Sequence, residues 1–269
     1  MDDNLTSLKV SRRLVMVGVG LNSVLLHVCP AHGTHSVIGY TGVTGPDKWG
    51  TLSPSYSMCF NGKRQSPIEI VKKNTVFDQN LGPLIVGYND ASATLINNGF
   101  NVELRYENDV GDAIIAGKNY TLKQMHWHSP SEHTIDGVRY AAELHLVHQS
   151  VDGNIAVVAI LYKYGAPDPL LSQIVDKFDQ LTNEGAHIPI KRVGTKAILQ
   201  SNKKYFRYEG SLTTPPCSEI VIWNILEEVR EISKEQVAAL KTPLDESCKN
   251  NSRPTQPLNG RPVEVSAAS

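Results

Sequence analysis

Alternation of apolar and polar positions dominates the chain from residue 92 to residue 226. Ser92 to Ile96 reads as a strand closed by the turn Asn97-Asn98-Gly99, and Phe100 to Tyr106 alternates clearly. Tyr120 to His128, Ala141 to His148, Ile155 to Tyr162 and Glu219 to Leu226 predict further strands, with Gly111-Asp112, Asp136-Gly137 and Asp152-Gly153 as turn signals among them. Helical spacing is confined to Pro169–Thr182 and Ser233–Leu240. Residues 36–65 are rich in Gly, Pro, Ser and Tyr with few apolar pairs, and they predict an irregular wrapping segment. No internal repeat and no linker-like stretch divides the sequence. The expectation is a mainly β single domain, a large sheet with a few short peripheral helices.

The amino-terminal end follows a different logic. Lys9, Arg12 and Arg13 precede an apolar run from Leu14 to Val28, the layout of a secretory signal. The run is shorter than the roughly 20 residues a membrane span needs and contains Asn22 and His27. We therefore read 1–33 as a targeting segment and 34–269 as the folded domain, which leaves no stable membrane span in the mature chain. A buried amino-terminal helix and an organellar transit peptide are the alternatives. Asn119-Tyr120-Thr121 and Asn250-Asn251-Ser252 match the N-glycosylation acceptor pattern and agree with export. Cys29 lies in the targeting segment, so Cys59, Cys217 and Cys248 remain, one bridge plus one free thiol being the simplest arrangement and three reduced thiols in a cytosolic protein the alternative. The expected location is the secretory pathway and the extracellular space, or a plastid reached by that route. With 26 Lys+Arg against 27 Asp+Glu, the chain lacks the basic excess that nucleic-acid binding requires.

Five of the nine histidines, His126, His128, His133, His145 and His148, fall in one short segment. Gln124-Met125-His126-Trp127-His128 is a predicted strand, and its period of two puts both imidazoles on one face. Glu143 and His145 share a face of the next strand for the same reason. An antiparallel return through 129–139 brings His145 beside His126 and His128. Three neutral imidazoles on rigid strands suit a catalytic Zn2+ with a fourth position left for water, and Glu143 is placed to orient a ligand ring. The alternative is three histidines packed or exposed separately.

Ser131-Glu132-His133-Thr134-Ile135, Tyr140 and Glu143-Leu144-His145-Leu146-Val147 together resemble the signature of the α-class carbonic anhydrases. Gln65-Ser66-Pro67-Ile68, Ser211-Leu212-Thr213-Thr214-Pro215-Pro216, Trp223 and Arg253-Pro254-Thr255-Gln256-Pro257-Leu258 resemble further motifs of that family in the right order, over roughly residues 38–263. The run Trp127-His128-Ser129-Pro130-Ser131-Glu132-His133 is most similar to plant exported members, including nectar and tuber-storage proteins. The resemblance implies a twisted, mostly antiparallel central sheet of about ten strands, and zinc-dependent hydration of CO2 to bicarbonate through a metal-bound hydroxide. It implies His126, His128 and His145 as zinc ligands, with Gln124 and Glu143 behind them. Thr213, Glu132 and Tyr208 become the catalytic hydroxyl network, and Val147, Val157, Leu212, Thr214, Val221 and Trp223 the CO2 pocket. Cys59 and Cys217 fall where exported members form their disulfide, while His133 and His148 are structural.

One departure bears on rate. Fast members carry a proton-shuttling histidine after an Asn-Gly turn, and here Phe100 follows Asn97-Asn98-Gly99. Proton transfer is then expected to limit turnover, unless another side chain substitutes. The competing function is a storage or binding protein on the same fold, since a fold does not fix an activity.

Overall fold

The computed structural model describes residues 38–108, 110–196, 198–199 and 203–267. The proposed targeting segment 1–33 lies outside the described residues. Strands β1 (Glu69–Ile70), β2 (Val76–Phe77), β3 (Ile85–Tyr88), β4 (Ala91–Asn97), β5 (Val102–Arg105), β6 (Gly111–Ile115), β7 (Lys118–His128) and β8 (Thr134–Ile135) occupy the first half. They are followed by β9 (Val138–Arg139), β10 (Ala142–Gln149), β11 (Ile155–Tyr164), β12 (His187–Val193), β13 (Tyr205–Gly210), β14 (Val221–Leu226), β15 (Arg230–Ile232) and β16 (Glu264–Val265). Among the described residues, three short α-helices accompany them, α1 (Trp49–Leu52), α2 (Met58–Asn61) and α3 (Lys234–Lys241).

One 13-stranded sheet organises the fold, with a continuous path β12-β4-β5-β7-β10-β11-β14-β13-β16-β2 and with β3, β6 and β15 attached off it. The ten strands of the path match the expected number. Pairing is mostly antiparallel, the parallel exceptions in this sheet being β11 with β14, β11 with β15, and β16 with β2. A small second sheet joins β1, β8 and β9.

The central strands β10 and β11 are buried on both faces almost throughout; β11 accordingly reads as a nearly continuous apolar run, whereas β10 carries Glu143, His145 and His148 in buried positions. Leu144, Leu146, Met125, Trp127, Val158 and Ile160 belong to the larger core on one face. Val147, Val157, Ala159, Val221 and Trp223 belong to a second cluster on the other. His145 stands in register with Ala159 and His126, which places it on the side of the second cluster.

A bulge in β7 sets that placement. Val147 of β10 pairs with Gln124 and His148 with Leu122, so Lys123 has no partner on β10. An extra residue reverses the alternation that follows it. Tyr120 and Leu122 point into the larger core before the bulge, and Met125 and Trp127 do so after it. Gln124, His126 and His128 are thereby turned together to the opposite face.

Two predictions about helices had different outcomes. Ser233 caps α3 through a reciprocal pair of bonds with Gln236, a capping box that starts the helix where the sequence indicates. Pro169–Thr182 does not form an α-helix. It contains two 3-10 segments, Leu171–Gln173 and Val175–Gln180, joined where Ile174 leaves helical geometry at φ −131°. Leu170, Leu171, Ile174, Phe178 and Leu181 are buried as their spacing suggests; periodicity reports the buried face, not the bonding pattern. In the wrapping segment, Trp49 is fully buried, and its indole N–H is shared between the carbonyls of Gly39 and Thr44 at 3.0 and 2.9 Å.

Candidate metal centre

The register of β7 and β10 sets His145 opposite His126, and Glu143 opposite His128. One ring nitrogen from each of His126, His128 and His145 lies within 4.8 Å of the others. The partner behind each ring decides which nitrogen this is. His126 Nδ1 donates to Gln124 Oε1 at 2.7 Å, and His128 Nδ1 donates to the Asn251 carbonyl at 2.6 Å. His145 Nε2 donates to Glu143 Oε1 at 2.7 Å. Each neutral ring has one proton and has committed it outward, so His126 Nε2, His128 Nε2 and His145 Nδ1 face one another as bare lone pairs.

That arrangement is costly without a cation. His126 Nε2 and His145 Nδ1 stand 3.3 Å apart, and His128 Nε2 is buried with no hydrogen-bond partner. Protonation does not relieve it. Burial, then the neighbouring His145 and His128, hold the His126 pKa well below the ordinary imidazole value, and burial also lowers those of His128 and His145. Three neutral nitrogen donors oriented from behind fit a tetrahedral zinc ion with one open position.

Glu143 anchors the back of the centre. Its Oε2 accepts the main-chain N–H groups of Glu132 and His133, both at 2.8 Å, while Oε1 accepts His133 Nδ1 at 2.6 Å as well as His145. Burial alone would raise its pKa, but His133, His145 and these bonds outweigh it and hold the carboxyl well below the usual range. His133 Nε2 lies 2.8 Å from the Tyr208 hydroxyl, which donates to Ser66 Oγ at 2.8 Å. Tyr208 thus reaches the centre through His133 and Glu143.

Glu132 is fully buried, and its Oε1 accepts the Arg253 main-chain N–H at 2.9 Å. Burial raises its pKa to about 7, while the Thr213 hydroxyl stands close enough to draw it down. Glu132 Oε2 has no hydrogen-bond partner and lies 3.6 Å from His128 Nε2. Thr213 is buried in the loop after β13, and Thr214 and Leu212 beside it are half-buried.

The apolar residues named from sequence come together. Val147 pairs with Val157 and Val157 with Trp223, forming a row one pleat along from His145. The Trp223 ring lies 4.9 Å from that of His145, and Val221 and Leu212 join the same cluster. Cys59 and Cys217 are disulfide-bonded and Cys248 is a buried free thiol. Both sequon asparagines, Asn119 and Asn250, are exposed. His148 lies in the core with Nε2 2.5 Å from Tyr88 Oη, away from the ligand group. Phe100 is half-buried against the larger core, next to Gly99, whose φ of +83° suits glycine.

Sequence reasoning missed Asn251. Its carbonyl fixes the His128 tautomer, and its side chain accepts Ser129 N–H at 2.9 Å and donates to the carbonyls of Phe100 and Trp127 at 2.9 and 3.2 Å. A main-chain acceptor leaves no mark in residue type, and the sequence singled out Asn251 only as the middle of the Asn250-Asn251-Ser252 acceptor pattern.

The sequence model described as eukaryotic-type carbonic anhydrase matches residues 44–267. The chain belongs to that family. Alpha carbonic anhydrase 7 of Arabidopsis thaliana is 39% identical over 222 residues, covering 82% of this chain and 81% of the relative. Among solved structures, dioscorin complexed with ascorbate aligns with a TM-score of 0.82 at 37% identity, covering 85% of this carbonic anhydrase family member and 97% of the other chain. The α-carbonic anhydrase of Thermovibrio ammonificans, in complex with the inhibitor sulfanilamide, aligns at 0.77 and 38% identity, covering 86% and 100%. Among the described residues, no helix is long and apolar enough to cross a membrane.

Proposed function

We propose that this member of the family interconverts carbon dioxide and bicarbonate at a zinc ion held by His126, His128 and His145. The observation that carries the reading is the meeting of three proton-free ring nitrogens in one buried place, each backed by a fixed acceptor. When bound, zinc supplies the Lewis-acid charge that lets water ionise near neutral pH, a property of the enzyme class itself. Burial keeps the rings neutral, while Gln124, the Asn251 carbonyl and Glu143 keep them aimed. Val147, Val157, Val221 and Trp223, with Leu212 and Thr214 from the neighbouring loop, offer carbon dioxide an apolar wall. The Thr213 hydroxyl stands close to Glu132; with its proton given to that carboxylate it could only accept toward the reacting oxygen, which would leave that oxygen's free pair for the substrate. Tyr208 acts further back, on His133 and through it on Glu143. Phe100 carries no ionisable group, so the released proton leaves on dissolved buffer, and turnover rises as imidazole-type buffer is added.

The Cys59–Cys217 bond suits an oxidising compartment. We place the chain in the secretory pathway, with 1–33 as its leader and with the exposed Asn119 and Asn250 as glycan acceptors. The likeness to dioscorin, solved with ascorbate bound, favours a second reading in which the fold serves storage or binding and catalysis is incidental. Zinc content by elemental analysis, measured alongside CO2 hydration with and without sulfanilamide, separates the two. The expected result is stoichiometric zinc and sulfonamide-sensitive hydration, both lost in His145→Ala. Zinc-free protein, or activity that survives in His145→Ala, overturns the assignment.

A further inference from the structure

The register of β5 against β7 brings a cation to the face that carries the imidazoles. Glu103 stands directly opposite His126, and Arg105 directly opposite Gln124. Direct cross-strand partners project to the same face of a sheet, so Glu103 and Arg105 share the face of His126 and Gln124. A strand spacing of about 4.8 Å and a rise of about 3.4 Å per residue put the Arg105 Cα roughly 8 Å from that of His126.

The two side chains pair unequally. Arg105 Nε donates to Glu103 Oε1 at 2.6 Å, and Asn98 Nδ2 donates to Glu103 Oε2 at 2.8 Å, so both carboxylate oxygens are engaged. Asn98 Nδ2 also donates to Asn101 Oδ1 at 2.9 Å, which ties this pair to the turn that follows β4. Glu103 is buried at 7% side-chain exposure, whereas Arg105 retains 32%. Among the described residues, Arg105 Nη1 and Nη2 have no protein partner. The acids around the ligand group, Glu103, Glu132 and Glu143, are all buried. The solvent-facing charge of this wall is therefore the far side of a guanidinium, four N–H donors arranged as a fork that matches planar oxyanions.

We propose that Arg105 biases the metal centre toward small anions, so that bicarbonate and other planar or linear anions are held better than neutral molecules of similar size. The proposal rests on the zinc-centre reading above and adds to it a specificity residue for the anionic partner of the reaction. Because the overall equilibrium is fixed, a residue that recruits bicarbonate changes kcat/KM in both directions by one factor. The discriminating measurement is therefore binding rather than rate.

Thiocyanate affinity of the zinc-loaded protein, measured by calorimetry with phenol as the neutral comparator, tests this without turnover. With the Cα separation of roughly 8 Å taken only as the scale, one unit charge in a medium of effective dielectric about 40–80 corresponds to a change of about twofold to sixfold. Arg105→Gln weakens thiocyanate relative to phenol by that factor. Arg105→Lys restores the charge and returns the ratio to within about twofold of the parent. Glu103→Gln removes the opposing charge and tightens thiocyanate. If the ratio is the same in all three variants, Arg105 has no such role, whatever the activity of the chain. If the parent fails to bind zinc, both this proposal and the functional reading fall.

Discussion

Replacing Glu143 by glutamine exchanges one atom on a carboxylate that accepts four hydrogen bonds. The main-chain N–H groups of Glu132 and His133 cannot become acceptors, so the amide oxygen must turn to them. The NH2 group then faces His133 Nδ1 and His145 Nε2. Each imidazole keeps its bond only by moving its proton to the other nitrogen. For His133 this sets an N–H against the Tyr208 hydroxyl, which can accept because its own proton goes to Ser66. For His145 it sets an N–H on Nδ1, the atom facing His126 Nε2. The fold stays hydrogen-bonded while one of three inward lone pairs is capped. Bonds to a charged acceptor, about 1.5–3 kcal/mol each, become neutral ones of about 0.5–1.5 kcal/mol. Removing a buried charge offsets part of that loss, and we expect unfolding free energy to fall by about 2–4 kcal/mol. Metal affinity should fall by about 10- to 100-fold, the usual cost of disturbing a partner behind a ligand. Chelator competition reads the affinity, and nitrogen-15 NMR of labelled histidine reads the tautomer. Zinc affinity within twofold of the parent, or a His145 Nδ1 that stays unprotonated in the metal-free variant, would refute the reasoning.

Three further outcomes follow from the same structure. Burial depresses the His148 pKa to about 4, below the ordinary value of about 6.5, so the unfolded chain binds this proton first as pH falls. The metal-free protein should lose about 3 kcal/mol more stability between pH 7 and 4 than a His148→Gln variant, most of it between pH 6.5 and 4; parallel urea-denaturation profiles would contradict this. Cys59→Ser opens a link between residues 158 apart in sequence. The chain-entropy treatment gives a loss of about 5 kcal/mol as an upper figure, and a change under 1 kcal/mol in chemical denaturation would show that loop closure is not what the bond contributes. Phe100→His places a titratable ring beside the Asn97–Gly99 turn and should raise CO2 hydration several-fold in dilute non-imidazole buffer, with little gain once imidazole is abundant; equal gains in both buffers would count against a proton-transfer limit.

Much of the centre was legible because it obeys short-range geometry. The i, i+2 spacing of Gln124, His126 and His128, and of Glu143 and His145, is enough to put each set on one face of a strand. The antiparallel return between them runs through residues 129–141, within which Asp136-Gly137 turns β8 back onto β9 of the small sheet. What was not legible depends on partners far along the chain. Asn251 is brought to His128 across 123 positions and uses a carbonyl that any residue possesses. Arg105 acquires its place from pairing with β7, which its own neighbours do not announce. The edge strands β3 and β12, and β6 between β3 and β7, alternate too weakly to stand out, since many of their residues are exposed or half-buried. The 3-10 turns at 171–180 show the converse, a buried face read correctly and a backbone geometry read wrongly.

Lys123, without a partner on β10, makes β7 a strand written in two frames. Upstream of it, even-numbered positions feed the protein's interior; downstream, even-numbered positions hold the chemistry. Excising that single lysine would leave every histidine in the sequence yet send either the imidazoles or Tyr120 and Leu122 to the wrong side. The capacity to hold a metal here is thus a property of counting as much as of composition, and a comparison that aligned the histidines while ignoring a gap beside them would credit a chain with a centre it could not assemble.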